Sequence, residues 1–151
     1  MKNEKLSNEQ ISGLCMELSL LLHAGVRVGD GLALLAEESH GGDRAWLEEM
    51  AHQVDEGTSL AAALDGSGRF PDYVSGLLKM GERSGRTEEA LRALSVYYEE
   101  RSRMERRLRS ALLYPAVMLL LMLAVIVILL ARVLPGFDEV YASLGGQLTG
   151  V

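Results

Sequence analysis

Glu82 is the acid best placed for chemistry, standing inside the stretch Gly81-Glu82-Arg83-Ser84-Gly85. At a helix junction its carboxylate can accept hydrogen bonds from the free backbone amides at the start of the last helix, and it suits the positive end of that helix's dipole. The flanking Gly81 and Gly85 allow a sharp backbone and a close approach. A structural role fits best and direct contact with a partner second, whereas general acid-base catalysis would need a second group that the neighbouring sequence does not supply. Cys15 lies among leucines, the setting of a buried, inert thiol rather than a nucleophile. His23, His40 and His52 lack an i, i+4 carboxylate or histidine pair of the zincin type. No G-x-x-x-x-G-K-S/T cradle for phosphate exists, and Gly29-Asp30-Gly31 does not extend to a dinucleotide fingerprint. Glu37, Glu38, Glu48, Glu49, Asp55 and Glu56 read as a solvated face or as a contact for a basic partner; hard cations take oxygen ligands, but no EF-hand loop is present. The expectation is a protein that is not an enzyme and holds neither cofactor nor metal.

Helices are the only elements the sequence supports, since no stretch alternates apolar and polar residues with β-branched enrichment. Ser7 and Gln10 have capping-box spacing ahead of Ile11, Leu14, Leu18, Leu21 and Leu22, and Gly25 stops this helix. A second helix is predicted from Val28 to Ser39 with Leu32, Leu35 and Ala36 inward, closed by Gly41 and Gly42. Asp43 caps a third, in which Leu47, Met50, Ala51 and Val54 recur on one face before Gly57. Thr58 or Ser59 opens a short segment from Leu60 to Leu64, followed by a flexible turn over Asp65, Gly66, Ser67 and Gly68. Phe70 and Pro71 begin the next helix, with the proline in its first turn and the phenylalanine extended into the core, ahead of Val74, Leu77 and Leu78. Thr87 caps a last helix through Leu91, Leu94 and Tyr98 that shows no stop before Tyr114 and Pro115. The predicted fold is all-α, a bundle of about six helices whose last member continues into a single transmembrane helix.

That last expectation rests on residues 111–131, which hold 21 residues without charge, enough for about 30 Å of helix at roughly 1.5 Å per residue. Thirteen of them are Leu, Ile or Val, which together favour insertion by about 4 to 8 kcal/mol. A buried core helix would normally keep one polar face. Arg101, Arg103, Arg106, Arg107 and Arg109 precede the run and only Arg132 closely follows it, so the amino-terminal side is expected in the cytoplasm. The segment from Leu18 to Leu22 is too short for a secretory signal. Pro115 near the interface permits a kink, and Tyr114 suits an aromatic belt. The expected domains are a cytoplasmic bundle over 1–110, a transmembrane helix over 111–133 and an extracytoplasmic loop over 134–151.

The 151 residues leave room for one folded domain, and a single cysteine excludes a disulfide framework. Residues 1–98 hold 16 acids and 9 bases, a charge of −7, while residues 99–110 hold 3 acids and 5 arginines, a charge of +2. Nucleic-acid binding is disfavoured, because the only basic cluster lies where anionic lipid headgroups would be. Tyr97 and Tyr98 with Met104 and Leu108 form either a partner stripe or core.

The punctuation of the chain carries a resemblance. Gly25 in Ala24-Gly25-Val26, Gly57 in Gly57-Thr58-Ser59-Leu60, Phe70-Pro71, Gly81-Glu82-Arg83-Ser84-Gly85, Tyr114-Pro115 and Pro135-Gly136-Phe137 with Tyr141 follow the order and spacing of the type II secretion F-domain family. The chain resembles the first half of an inner-membrane platform protein of type II secretion and type IV pilus systems, over roughly Gln10 to Gly146. The second similar bundle and further membrane helices usual in the family do not follow, and Thr149 stands where a proline is common, before Gly150-Val151; the chain reads as a piece of such a protein or as a reduced member.

The resemblance implies a location in the inner membrane, coupling of a cytoplasmic assembly ATPase to pilin or pseudopilin, and contact with other inner-membrane assembly proteins and membrane lipid. It also implies a homo-oligomer. With no phosphate cradle in this chain, ATP would be hydrolysed by the partner. A single-pass signalling or adaptor protein with a dimerising bundle is the alternative.

Overall fold

The computed structural model describes residues 4–148, excluding the side chains of 137, 138, 141 and 144–148. The readings of Phe137 and Tyr141 as motif side chains, and of Thr149, Gly150 and Val151, lie outside the described residues. Six helices and no strand occur among the described residues: α1 (Asn8–His23), α2 (Val28–Glu38), α3 (Gly42–Asp55), α4 (Leu60–Ser67), α5 (Asp72–Arg83) and α6 (Thr87–Leu148). The chain divides into two compact units at Met104.

In the first unit α1 begins with the expected capping box: Ser7 Oγ accepts from the Gln10 amide at 3.2 Å and Gln10 Oε1 from the Ser7 amide at 2.9 Å. Two orphan amides are thereby satisfied by one i, i+3 spacing. The apolar positions recurring every three or four residues turn inward as predicted. Ile11, Leu32, Leu78 and Leu94 are fully buried, and Phe70 and Tyr98 join them in one core. Close packing runs α1 on α2, α2 on α3, α3 on α4 and α4 on α5. α6 is tied in by the Ser12 hydroxyl, which donates to the Ser95 carbonyl at 2.8 Å. It is also tied by His23 Nδ1, which stands 2.8 Å from Glu88 Oε1. Among the described residues no buried side-chain polar atom lacks a partner, which is what a well-packed small domain requires.

Several boundaries differ from the sequence reading. Asp43 does not cap α3. Gly41 holds that place at φ 73°, and the Asp43 carboxylate accepts from Trp46 Nε1 at 3.0 Å instead. The turn expected over Asp65, Gly66 and Ser67 is the last turn of α4, which stops at Gly68 in the left-handed region. Pro71 is the cap of α5 rather than a first-turn residue. Thr87 is the first residue of α6, while the Arg86 carbonyl accepts from the Ala90 amide at 3.0 Å.

The second unit, from 105 onward, is the continuation of α6. Its apolar stretch has a mean hydropathy of 3.1 over 18 residues, none of it buried, and is long and apolar enough to cross a membrane. The segment read as a loop from 134 is helical as far as Leu148. Pro135 with Gly136 suggested a break, but a proline's fixed φ lies in the helical range, and the lost hydrogen bond and the crowding of the preceding turn are tolerated within α6. Pro115 likewise lies inside α6.

Candidate functional site

In the Gly81 to Gly85 stretch, Gly81, Glu82 and Gly85 each have a separate physical task. α5 ends in a pair of reversed hydrogen bonds: the Gly85 amide donates to the Glu82 carbonyl at 3.3 Å and the Arg86 amide to the Gly81 carbonyl at 2.7 Å. This Schellman closure needs a left-handed residue, and Gly85 supplies it at φ 71°. Gly25 and Gly57 hold the same place after α1 and α3, with Val26 and Thr58 donating back to Leu21 and Gln53. Gly81 serves differently. A Cβ there would stand 2.6 Å from the Ala90 Cβ and 3.1 Å from the Arg86 carbonyl oxygen, so only glycine lets α6 begin this close to the end of α5.

The Glu82 carboxylate does not serve the last helix, as its neighbours in sequence suggested. Its Oε1 accepts from the Ala61 amide at 2.9 Å, at the start of α4, 21 residues earlier. Ser59 Oγ accepts from the next amide, Ala62, at 3.2 Å. Two of the unpaired amides at this helix start are thus met, one by a local residue and one by a remote carboxylate. The reason is topological: the end of α5 returns beside the start of α4. Replacing Glu82 with alanine is expected to destabilise the first unit by about 1 kcal/mol, read as a lower urea midpoint with an unchanged slope. Glu82→Gln, which keeps an acceptor, is expected to lose less; equal midpoints for wild type and Glu82→Ala would contradict the cap.

Phe70 is buried and meets Trp46 edge to face, ring centroids 5.9 Å apart, with the Arg69 guanidinium 5.3 Å from the Trp46 centroid. Tyr114 is exposed on α6, next to Pro115. The motif residues divide between the two units and have separate tasks. Gly25, Gly57 and Gly85 close helices, Phe70 and Pro71 set the entry to α5, Gly81 and Glu82 join α5 to its neighbours, and Tyr114, Pro115 and Pro135 belong to the continuation of α6.

Cys15 is buried and its thiol is pushed up to about 12 by desolvation. A maleimide at pH 8 is expected to label it at least roughly 10³-fold more slowly in the folded chain than in concentrated guanidinium, because reaction must wait for opening. Free labelling of the native chain would refute its burial. Since the folded pKa lies above the unfolded one, this residue's contribution is intact below the ordinary thiol range and is lost as pH rises toward 12.

Two of the three histidines pair with a single carboxylate each: His23 with Glu88, and His52 Nε2 with Glu56 Oε1 at 3.1 Å. The latter is an i, i+4 contact that the sequence reading passed over, made between exposed side chains. No group of three potential metal ligands forms among the described residues. Glu37, Glu38, Glu48, Glu49, Asp55 and Glu56 are all exposed, and Arg44 Nε pairs with Glu48 at 2.8 Å. Asp55 also closes over α2, where a Cβ on buried Gly29 would run into its carboxylate. Gly29, which belongs to no complete nucleotide motif, admits this side chain. The tyrosine stripe divides: Tyr98 is core, whereas Tyr97 is exposed against Tyr73 with centroids 5.0 Å apart. Their separation of 24 positions hid that pair.

Comparison with known proteins settles what this arrangement of helix closures belongs to. Residues 14–135 match the family described as Type II secretion system (T2SS), protein F. The chain belongs to the type II secretion system protein F family. Among relatives, it is 32% identical over 147 residues to the type II secretion system protein F of Aeromonas hydrophila, covering 94% of this chain and 37% of that one. It is 31% identical over 134 residues to a protein transport protein HofC homolog of Escherichia coli (strain K12), covering 87% and 34%. It is 26% identical over 147 residues to the type IV pilus assembly protein PilC of Pseudomonas aeruginosa, covering 96% and 39%. The chain thus spans about a third of the length of the curated relatives it matches. The family match includes the motif residues from Gly25 to Pro135 and stops before Gly136, Phe137 and Tyr141.

Proposed function

We propose that the chain acts as part of an inner-membrane platform for type II secretion or type IV pilus assembly, passing motion from a cytoplasmic assembly ATPase to pilin or pseudopilin subunits. The observation that carries this reading is the family match over residues 14–135, together with relatives named for secretion and pilus assembly. The bundle lies on the cytoplasmic side in this reading, because five arginines precede the apolar run and one closely follows it. The protein performs no reaction of its own: hydrolysis belongs to the ATPase, and the bundle offers that partner an exposed acidic face on α2 and α3. The relatives' names favour this over the adaptor reading.

The test is capture of the assembly ATPase by the detergent-solubilised chain. Binding is expected, and is expected to be lost when Glu37, Glu38, Glu48 and Glu49 are reversed to lysine. Failure of both this chain and a two-bundle relative to bind the ATPase would overturn the proposal, and binding indifferent to the reversals would remove the acidic face from it.

A further inference from the structure

Arg106, Arg107 and Arg109 are exposed on α6 two to five residues before the uncharged run that begins at Ala111. At about 1.5 Å per residue they stand roughly 3 to 8 Å outside it, the depth of one headgroup layer when about 40–45 Å of bilayer encloses about 30 Å of hydrocarbon. At about 100° per residue the three side chains fan over roughly 160° of the helix, a spread suited to a surrounding anionic layer more than to a flat protein face. Beside Arg109 a shallow groove of about 570 Å³ is lined by Glu105, Leu108, Arg109, Leu112, Leu113 and Ala116. One end of this lining is charged and the other apolar, in the order in which an amphiphile would present its own groups.

We infer that this groove binds an anionic phospholipid, whose phosphate meets Arg109 and whose acyl chain lies along Leu112, Leu113 and Ala116, while Arg106 and Arg107, on other sides of the same turn, face the headgroups of neighbouring lipids. Free phosphate would use only the cationic end. Glu105 stands a turn further from the apolar run and closes the charged end of the groove. Residues 105–110 carry three arginines against one acid, so the local charge complements the lipid although the whole chain is acidic. The inference rests on the reading that α6 spans the bilayer.

The experiment uses the full chain in two steps. Flotation with neutral phosphatidylcholine vesicles, followed by alkaline extraction, first establishes whether the chain integrates. Native mass spectrometry of the solubilised chain offered equal phosphatidylglycerol and phosphatidylcholine then counts the bound lipids. The expected result is integration, and about a fivefold preference for phosphatidylglycerol for each arginine engaged. That preference should survive excess inorganic phosphate and disappear in the Arg106→Gln, Arg107→Gln, Arg109→Gln triple variant. Integration without lipid preference overturns this site alone; displacement by inorganic phosphate reduces it to a simple anion site and overturns the lipid assignment. A chain that floats with no vesicle overturns the spanning reading and the lipid site with it.

Discussion

Tyr98→Ala should lower the stability of the bundle by about 3–5 kcal/mol. Tyr98 is the largest fully buried side chain, 1% exposed, and it lies on α6 against the core shared with Ile11, Leu18 and Leu94. Truncation removes a ring from close packing and leaves a cavity that neighbouring helices can only partly fill. A domain of this size has about 5–15 kcal/mol in total, so the loss takes up much of the margin. The single tryptophan, Trp46, lies in the first unit, so its fluorescence reports the bundle without interference from the apolar helix. Its melting midpoint should fall by at least roughly 12 °C. Tyr97→Ala, one position earlier but 42% exposed, provides the contrast and should cost less than about 1 kcal/mol. Equal shifts for the two would mean that the burial assigned to Tyr98 is wrong.

The second large effect concerns the apolar stretch of α6. Leu121→Arg combined with Val125→Arg places two charges near the middle of the uncharged run, one turn apart on one face. Each central arginine disfavours insertion by about 2.5–3.5 kcal/mol, and the two aliphatic residues lost had each favoured it by about 0.3–0.6 kcal/mol. The sum, about 6–8 kcal/mol, matches the whole favourable total of the thirteen Leu, Ile and Val residues. Wild-type chain should resist alkaline extraction from membranes, and the double variant should move largely to the soluble fraction or aggregate. An equally integrated double variant would count against a helix that crosses lipid by its own hydrophobicity.

Much of this was legible because it is local. Ser7 with Gln10, the inward faces of α1 to α3, and the glycines closing α1 and α3 all follow from spacings within one or two helical turns. Gly25, Gly57 and the Phe70-Pro71 pair could also be picked out, because they mark helix closures and a helix entry. What could not be read was pairing at a distance. Glu82 serves α4 rather than α6, because packing brings the end of α5 beside the Ala61 amide. Gly29 makes room for Asp55, and Tyr73 meets Tyr97, through contacts between helices that no local periodicity encodes. Pro135 misled in the opposite direction, since a strong local breaker signal lies within a continuing helix.

The Glu82 cap makes the middle of the bundle cooperative. α4 has only eight residues, too few to persist alone in water, and one of its first amides is satisfied by a side chain that arrives only when α5 docks. Neither helix can fray independently there without exposing an unpaired polar group of the other. Hydrogen exchange at Ala61 should therefore track the opening of α5, and the pair should fold and unfold as a single hinge-free module.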